Sequence, residues 1–204
     1  MRPIPIHIAV EDSLSESVLR KILDCSGRGY AVGSCFERGG FGYLKKNISG
    51  FNKAARGTPF LMLTDLDRGE CAPTMIRKWL PVPIHPNLLF RVAVREIESW
   101  ILASRSCVAE FLMISQEMIP ANTDEIDDPK QLLVELARKS RRRNLREAIA
   151  PRRGSTAKVG PDYNGTIILF VEQFWTIDEA VKNSPSLRKT VNRIRNFQPA
   201  FDCQ

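Results

Sequence analysis

Apolar residues fall into two rhythms along the chain. In the first half, short apolar runs bounded by polar or turn residues alternate with stretches whose apolar positions recur every three or four residues; in the second half only the latter rhythm persists. Residues 5–10 (PIHIAV) predict a strand, and residues 14–25 an amphipathic helix with Val18, Leu19, Ile22 and Leu23 on one face. A second strand is expected at 30–35, followed by the glycine-rich RGGFG (38–42), read as a turn, and a helix running to residue 55. Residues 59–64 predict a third strand, 73–80 a helix opened by proline, and 88–94 a fourth strand. This alternation is that of an α/β fold, a mainly parallel sheet flanked by helices on both faces. From Glu96 onward the strand signals stop. Helices are expected at 97–103, 108–113, 129–139, 165–182 and 185–195, with Asp128-Pro129 and Ser184-Pro185 as cap-plus-proline starts. The expected organisation is an α/β domain over residues 1–106 and an α-helical C-terminal region over 107–204, packed on it and completing the site. Phe170, Phe174 and Trp175, at helical spacing, and Trp100 are expected in the core.

Composition narrows the class. No apolar run reaches the roughly 18 residues of a membrane span, so no membrane partner is expected, and the N-terminal run meets Glu11 and Asp12 too early for a signal peptide. The five cysteines are scattered, without a C-x-x-C pair, which argues against a disulfide framework or zinc knuckle and for reduced thiols in a cytoplasm. Thirty Lys and Arg against 23 Asp and Glu leave a net charge of +7, which favours a polyanionic partner. The charge concentrates in KSRRRNLREAIAPRRGSTAK (139–158), where Arg141, Arg142, Arg143, Arg152 and Arg153 form a candidate phosphate-tracking surface that Arg188, Lys189, Arg193 and Arg195 extend.

The acids are placed differently. Three predicted strands run into carboxylates: Glu11 and Asp12 after the first, Asp65 and Asp67 in FLMLTDLDRG, and Glu96 and Glu98 after the fourth. Alternation puts Asp65 and Asp67 on one face. In open α/β sheets chemistry collects at these strand ends, and several carboxylates there suit a hard divalent cation, Mg²⁺ or Mn²⁺. Each acid also has a structural reading. Ser13-Leu14-Ser15-Glu16 fits a capping box closed by Glu16, Asp67 can start the turn at Gly69, and Glu96 can pair with Arg95. His7 and His85 are expected to be structural. The Asp-x-Asp also opens haloacid-dehalogenase-type sites, but Arg68-Gly69 stands where that chemistry needs a threonine.

Four segments, in order, resemble one family. AVEDSLSESVLRKIL is similar to the first strand and helix of a TOPRIM domain, LMLTDLDRG to its Asp-x-Asp strand, and VREIESWIL to the segment after the next strand in nucleases of the overcoming-lysogenization-defect class. STAKVGPDYN (155–164) resembles a Ser/Lys loop of their small stand-alone relatives in bacterial defence loci. Asp12 replaces a glycine common in that family, and Glu16 lies five residues after Glu11 rather than four. The resemblance implies a metal-dependent endonuclease hydrolysing phosphodiester bonds in DNA, or RNA, in anti-phage defence beside a separate ATPase. It implies two Mg²⁺ or Mn²⁺ ions, Glu11 as ligand or general base, and Asp65 and Asp67 as ligands, with Glu16 a further ligand or a cap. Glu98 would serve the second ion and Lys158 the scissile phosphate. The alternative is a basic nucleic-acid- or protein-binding module without catalysis.

Overall fold

The computed structural model describes residues 3–37, 39–66 and 71–200. Strands β1 (Ile4–Ala9), β2 (Tyr30–Phe36), β3 (Phe60–Asp65) and β4 (Leu88–Ala93) form one sheet in the order β2-β1-β3-β4, every pair parallel. Helices α1 (Ser13–Asp24), α2 (Gly40–Ala54) and α3 (Ala72–Trp79) supply the crossovers. The fold is α/β, as the alternating rhythms imply, with its remaining helices toward the C-terminus.

The strand order fixes which helix covers which face. Crossovers between parallel strands are right-handed, and the step from β1 to β2 runs opposite to those from β2 to β3 and β3 to β4. Therefore α1 lies on one face and α2 and α3 on the other. Phe60, Met62, Phe90 and Val92 pack with Leu44, Ile48 and Phe51 of α2 and with Met75 and Trp79 of α3 in one buried cluster. Ile6, Ile8, Leu61 and Leu63, all buried, alternate to the opposite face.

His7 interrupts the β1–β2 ladder. Its Nδ1 accepts the Ser34 backbone N–H at 2.9 Å, and the register shifts between Ile6 and Ile8. Gly33 leaves room for the ring: an added Cβ would lie 2.8 Å from that nitrogen. The histidine is thus structural. Gly39 (φ +92°) and Gly40 (φ +58°) take backbone conformations costly for other residues; the expected turn is there, but α2 already begins at Gly40. Arg38 lies outside the described residues.

The start of α1 differs from the expected capping box. Asp12 is the N-cap, its carboxylate accepting the Ser15 N–H at 2.8 Å, and Glu16 turns outward to Arg20 at 2.7 Å. Asp caps as well as Ser does, and Asp12 stands one residue earlier.

The chain forms two compact units, residues 1–94 with 189–204, and residues 95–188. The division falls between Val94 and Arg95 rather than at residue 106, and it recurs inside the last helix. The second unit holds α4 (Ile97–Leu102), α5 (Arg105–Leu112), α6 (Pro129–Arg138), α7 (Arg143–Ile149), α8 (Tyr163–Gln173), α9 (Ile177–Asn183) and the start of α10 (Pro185–Arg195). The early boundary follows from α4, which packs on α5, α6 and α9. In the first unit the end of α10 and its tail are tied down: Tyr30 Oη donates to the Ile194 carbonyl at 2.6 Å, Arg28 Nη2 to that of Phe197 at 2.8 Å, and the buried Asn87 exchanges two hydrogen bonds with Ala200.

The helix expected over 165–182 is two helices, α8 and α9. Trp100, Phe170 and Trp175 are buried as expected, with Trp175 Nε1 donating to the Trp100 carbonyl at 3.1 Å. Phe174, in the break, is 46% exposed and packs on Phe111 and Phe170 from outside. Helix α7, within the cationic run, was not expected. Cys25, Cys35, Cys71 and Cys107 are free thiols. Among the described residues no helix is long and apolar enough to cross a membrane.

If Asp12 is the cap, Asp12→Ala costs about 1 kcal/mol of stability, whereas Ser13→Ala changes it by less than about 0.5 kcal/mol. Urea unfolding of the two variants checks the difference.

Candidate functional site

At the carboxyl edge of the sheet the crossovers leaving β1 and β3 diverge to opposite faces, the topological switch point at which open α/β sheets hold their ligands. Two expected acids meet there. Glu11, just past β1, receives on one oxygen, Oε1, both the Thr64 hydroxyl and the backbone N–H of Asp65, the latter at 3.0 Å. Asp65 is the last residue of β3. The backbone on each side is held by an outer neighbour, Val10 N–H donating to the Phe36 carbonyl and Leu66 N–H to that of Ala93, both at 3.0 Å. Both hydrogen bonds to Glu11 fall on Oε1, so Oε2 is not engaged by them. Asp67, expected beside Asp65, lies outside the described residues, as do Arg68 and Gly69.

Glu16 stands in the first turn of α1, ion-paired to Arg20. It also borders Cys35 and Glu37 at the end of β2. Burial, and then the Glu16 carboxylate, push the Cys35 thiol up to about 12; burial and the charges of Glu16 and Asp12 raise the Glu37 carboxyl. Among the described residues no three His, Cys, Asp or Glu side chains are gathered closely enough to hold an ion.

Glu98 has a different environment, within the second unit. It is fully buried in the first turn of α4. Its Oε1 accepts the Tyr163 hydroxyl at 3.0 Å and lies 3.2 Å from Lys130 Nζ, while Oε2 has no hydrogen-bond partner. Burial pushes its carboxyl above the usual range, with Lys130 pulling the other way and Glu96 adding to the rise. Glu96 is structural, as expected, but with another partner. It accepts the Lys130 backbone N–H at 3.0 Å in the first turn of α6, where Asp128 caps Gln131, and Arg95 lies 3.6 Å from Asp127 instead. Arg95 has a φ of +67°, a left-handed conformation that is uncommon outside glycine.

The expected cationic residues separate. Arg143, Arg152 and Arg153 line a single cleft of about 690 Å³ together with Arg138, Arg146 and Glu147, over a floor of Ala150, Pro151 and Pro161. Arg141 borders a second cleft with Lys139 and Met113, and Arg142 is exposed at the start of α7. Arg138 and Arg146 were not singled out from the sequence, although Arg143 and Arg146 share a helix face by their spacing of three. Lys158 is exposed and has no hydrogen-bond or ion-pair partner among the described residues. Its loop is fastened to the end of α7 by Gly160 N–H to the Ile149 carbonyl at 2.8 Å and Asp162 N–H to the Ala148 carbonyl at 3.1 Å. A Cβ on Gly160 would overlap the Ala148 carbonyl.

Compared with family models, with curated proteins and with solved structures, the chain matches none.

Two outcomes follow from these environments. A carboxyl raised by folding takes up a proton as the chain folds, so stability is greatest below the ordinary carboxylate range and declines as pH rises toward the raised value. Glu98→Gln should flatten that decline, as urea midpoints between about pH 4 and about pH 7 would show. Gly160→Ala forces the loop from α7 and should cost roughly 1–3 kcal/mol, read by thermal unfolding.

Proposed function

We propose that the chain is a divalent-metal-dependent nuclease of TOPRIM-like type, hydrolysing phosphodiester bonds in DNA, with RNA as the alternative substrate. One observation carries the reading: of the four described acids singled out by the family resemblance, Glu11 is hydrogen-bonded through its carboxylate to the backbone N–H of another, Asp65, at the switch point where β1 and β3 part. Carboxylate oxygens are the donors Mg²⁺ and Mn²⁺ prefer, and Mg²⁺ is held by one or two carboxylates with waters completing its shell. Glu11 and Asp65 would hold it; Asp67, which the resemblance adds as a ligand, lies outside the described residues. When bound, such an ion acidifies a water and offsets phosphate charge.

The remaining work belongs to side chains. Thr64 and the Asp65 N–H fix the Glu11 carboxylate through Oε1, which would hold it ready for an ion. A role for Lys158 at the substrate phosphate is implied by the resemblance alone. Arg141 and Arg142, exposed on the second unit, supply sequence-independent attraction, and the net charge of +7 makes that attraction strongly salt-dependent. The proposal is confined to one ion: Glu98 would have to exchange Lys130 for a second, and Glu16 is spent on Arg20. Anti-phage defence and a separate ATPase partner are implied by the resemblance alone.

Calorimetry with Mn²⁺ and with Mg²⁺ tests the reading. Saturable binding is expected for the wild type and its loss in Asp65→Ala. Thr64→Val, which frees the Glu11 carboxylate, should weaken binding by about ten-fold or more. Equal binding by wild type and Asp65→Ala, or none by either, would sink the metal site and leave the non-catalytic binding module.

A further inference from the structure

The cleft in the second unit is a denser concentration of charge than a nucleic-acid track requires. Arg138 closes α6, Arg143 and Arg146 project from α7, and Arg152 and Arg153 come from the segment after it. All five border one volume of about 690 Å³, within the roughly 300–1,000 Å³ of small-ligand sites. Among the described residues their one acidic companion there is Glu147. Arg143 Nε donates to it at 2.8 Å, and its carboxyl is held below the usual range by Arg143 first and then by Arg146 and Arg152. Arg143, Arg146 and Arg152 thus act together on Glu147, and Arg138 and Arg153 line the same cleft. Arg146 is braced from behind, its Nη1 donating to the Ser140 carbonyl at 2.6 Å. The side chains of Arg138, Arg152 and Arg153 have no hydrogen-bond or ion-pair partner among the described residues.

Five arginines against one glutamate leave a net charge of +4 in the cleft. A nucleic-acid strand strings its charges along its length, about one per 3.4 Å. A chain of three linked phosphates brings about four charges in a compact body, since a terminal phosphate alone carries nearly two, and guanidinium groups bind such oxygens bidentately.

We propose that this cleft is a binding site for a compact polyphosphate, the triphosphate chain, with Arg143, Arg146, Arg152 and Arg153 as its ligands and Glu147 as the internal anion it displaces. The site is independent of the carboxylate chemistry at the sheet edge. A free inorganic chain and a nucleoside triphosphate share the chemistry recognised.

Calorimetry in metal-free buffer with EDTA tests it, using inorganic tripolyphosphate, ATP, orthophosphate and a short single-stranded DNA. Saturable one-to-one binding of tripolyphosphate, much tighter than orthophosphate, is expected. ATP binding equal to tripolyphosphate assigns recognition to the phosphate chain alone; tighter ATP binding adds the nucleoside. The double variant Arg152→Ala/Arg153→Ala should bind at least about ten-fold more weakly, whereas Glu147→Gln, which removes the competing carboxylate, should bind several-fold more tightly. Circular dichroism verifies that both variants fold, and Asp65→Ala should bind like the wild type whatever the fate of the metal site. The proposal is overturned by absence of saturable tripolyphosphate binding, by unchanged affinity in the double variant, or by DNA that displaces tripolyphosphate at equal phosphate concentration.

Discussion

Parallel strands cannot be joined by a tight turn, and the first unit is shaped by that constraint. Each strand must send the chain back across a face of the sheet, and the handedness of that return is fixed. Once β2 and β3 lie on opposite sides of β1, the helices must part company between β1 and β3. Three residue pairs, His7 with Phe60, Ile8 with Leu61 and Ala9 with Met62, join the sheet at this seam. Just beyond it the Glu11 carboxylate reaches across to Thr64 and Asp65. The backbone thus brings these two acids together without any attraction between them; an N–H and a hydroxyl supply the link.

Three glutamates show how little the residue type alone decides. Glu11 accepts two hydrogen bonds at a strand end, Glu16 is drawn to an arginine one turn along its helix, and Glu98 is enclosed with a tyrosine and a lysine. The last is strongly desolvated, and burial raises its carboxyl.

These differences mark what was legible in the sequence. The four strands and the α/β class follow from short apolar runs set between helical periodicities, and Glu11 and Asp65 follow from being the first acids after two of those runs. The cap was misplaced because Asp12 and Ser13 are both good capping residues and the local pattern alone does not rank them. Phe174 carries the same apolar signal as Phe170, yet the break between α8 and α9 turns it outward. The burial of Glu98 leaves no mark, because its partners Lys130 and Tyr163 are distant in sequence. The arginine cleft was half legible: a cationic run shows itself, but the sorting of Arg143 from Arg141 needs the turn between α6 and α7.

The tie between Asn87 and Ala200, with those of Arg28 and Tyr30 to the chain beyond residue 193, has a consequence for synthesis. The first unit is discontinuous: its partners in these bonds are separated by 113, 169 and 164 positions. On the ribosome, the strands bearing Glu11 and Asp65 emerge early, but their unit is not complete until the whole second unit has been translated. Residues 95–188 are contiguous and are all present before the first unit has its last segment. Order of appearance and order of completion are therefore reversed between the two units, and the carboxylate site belongs to the one completed after the other.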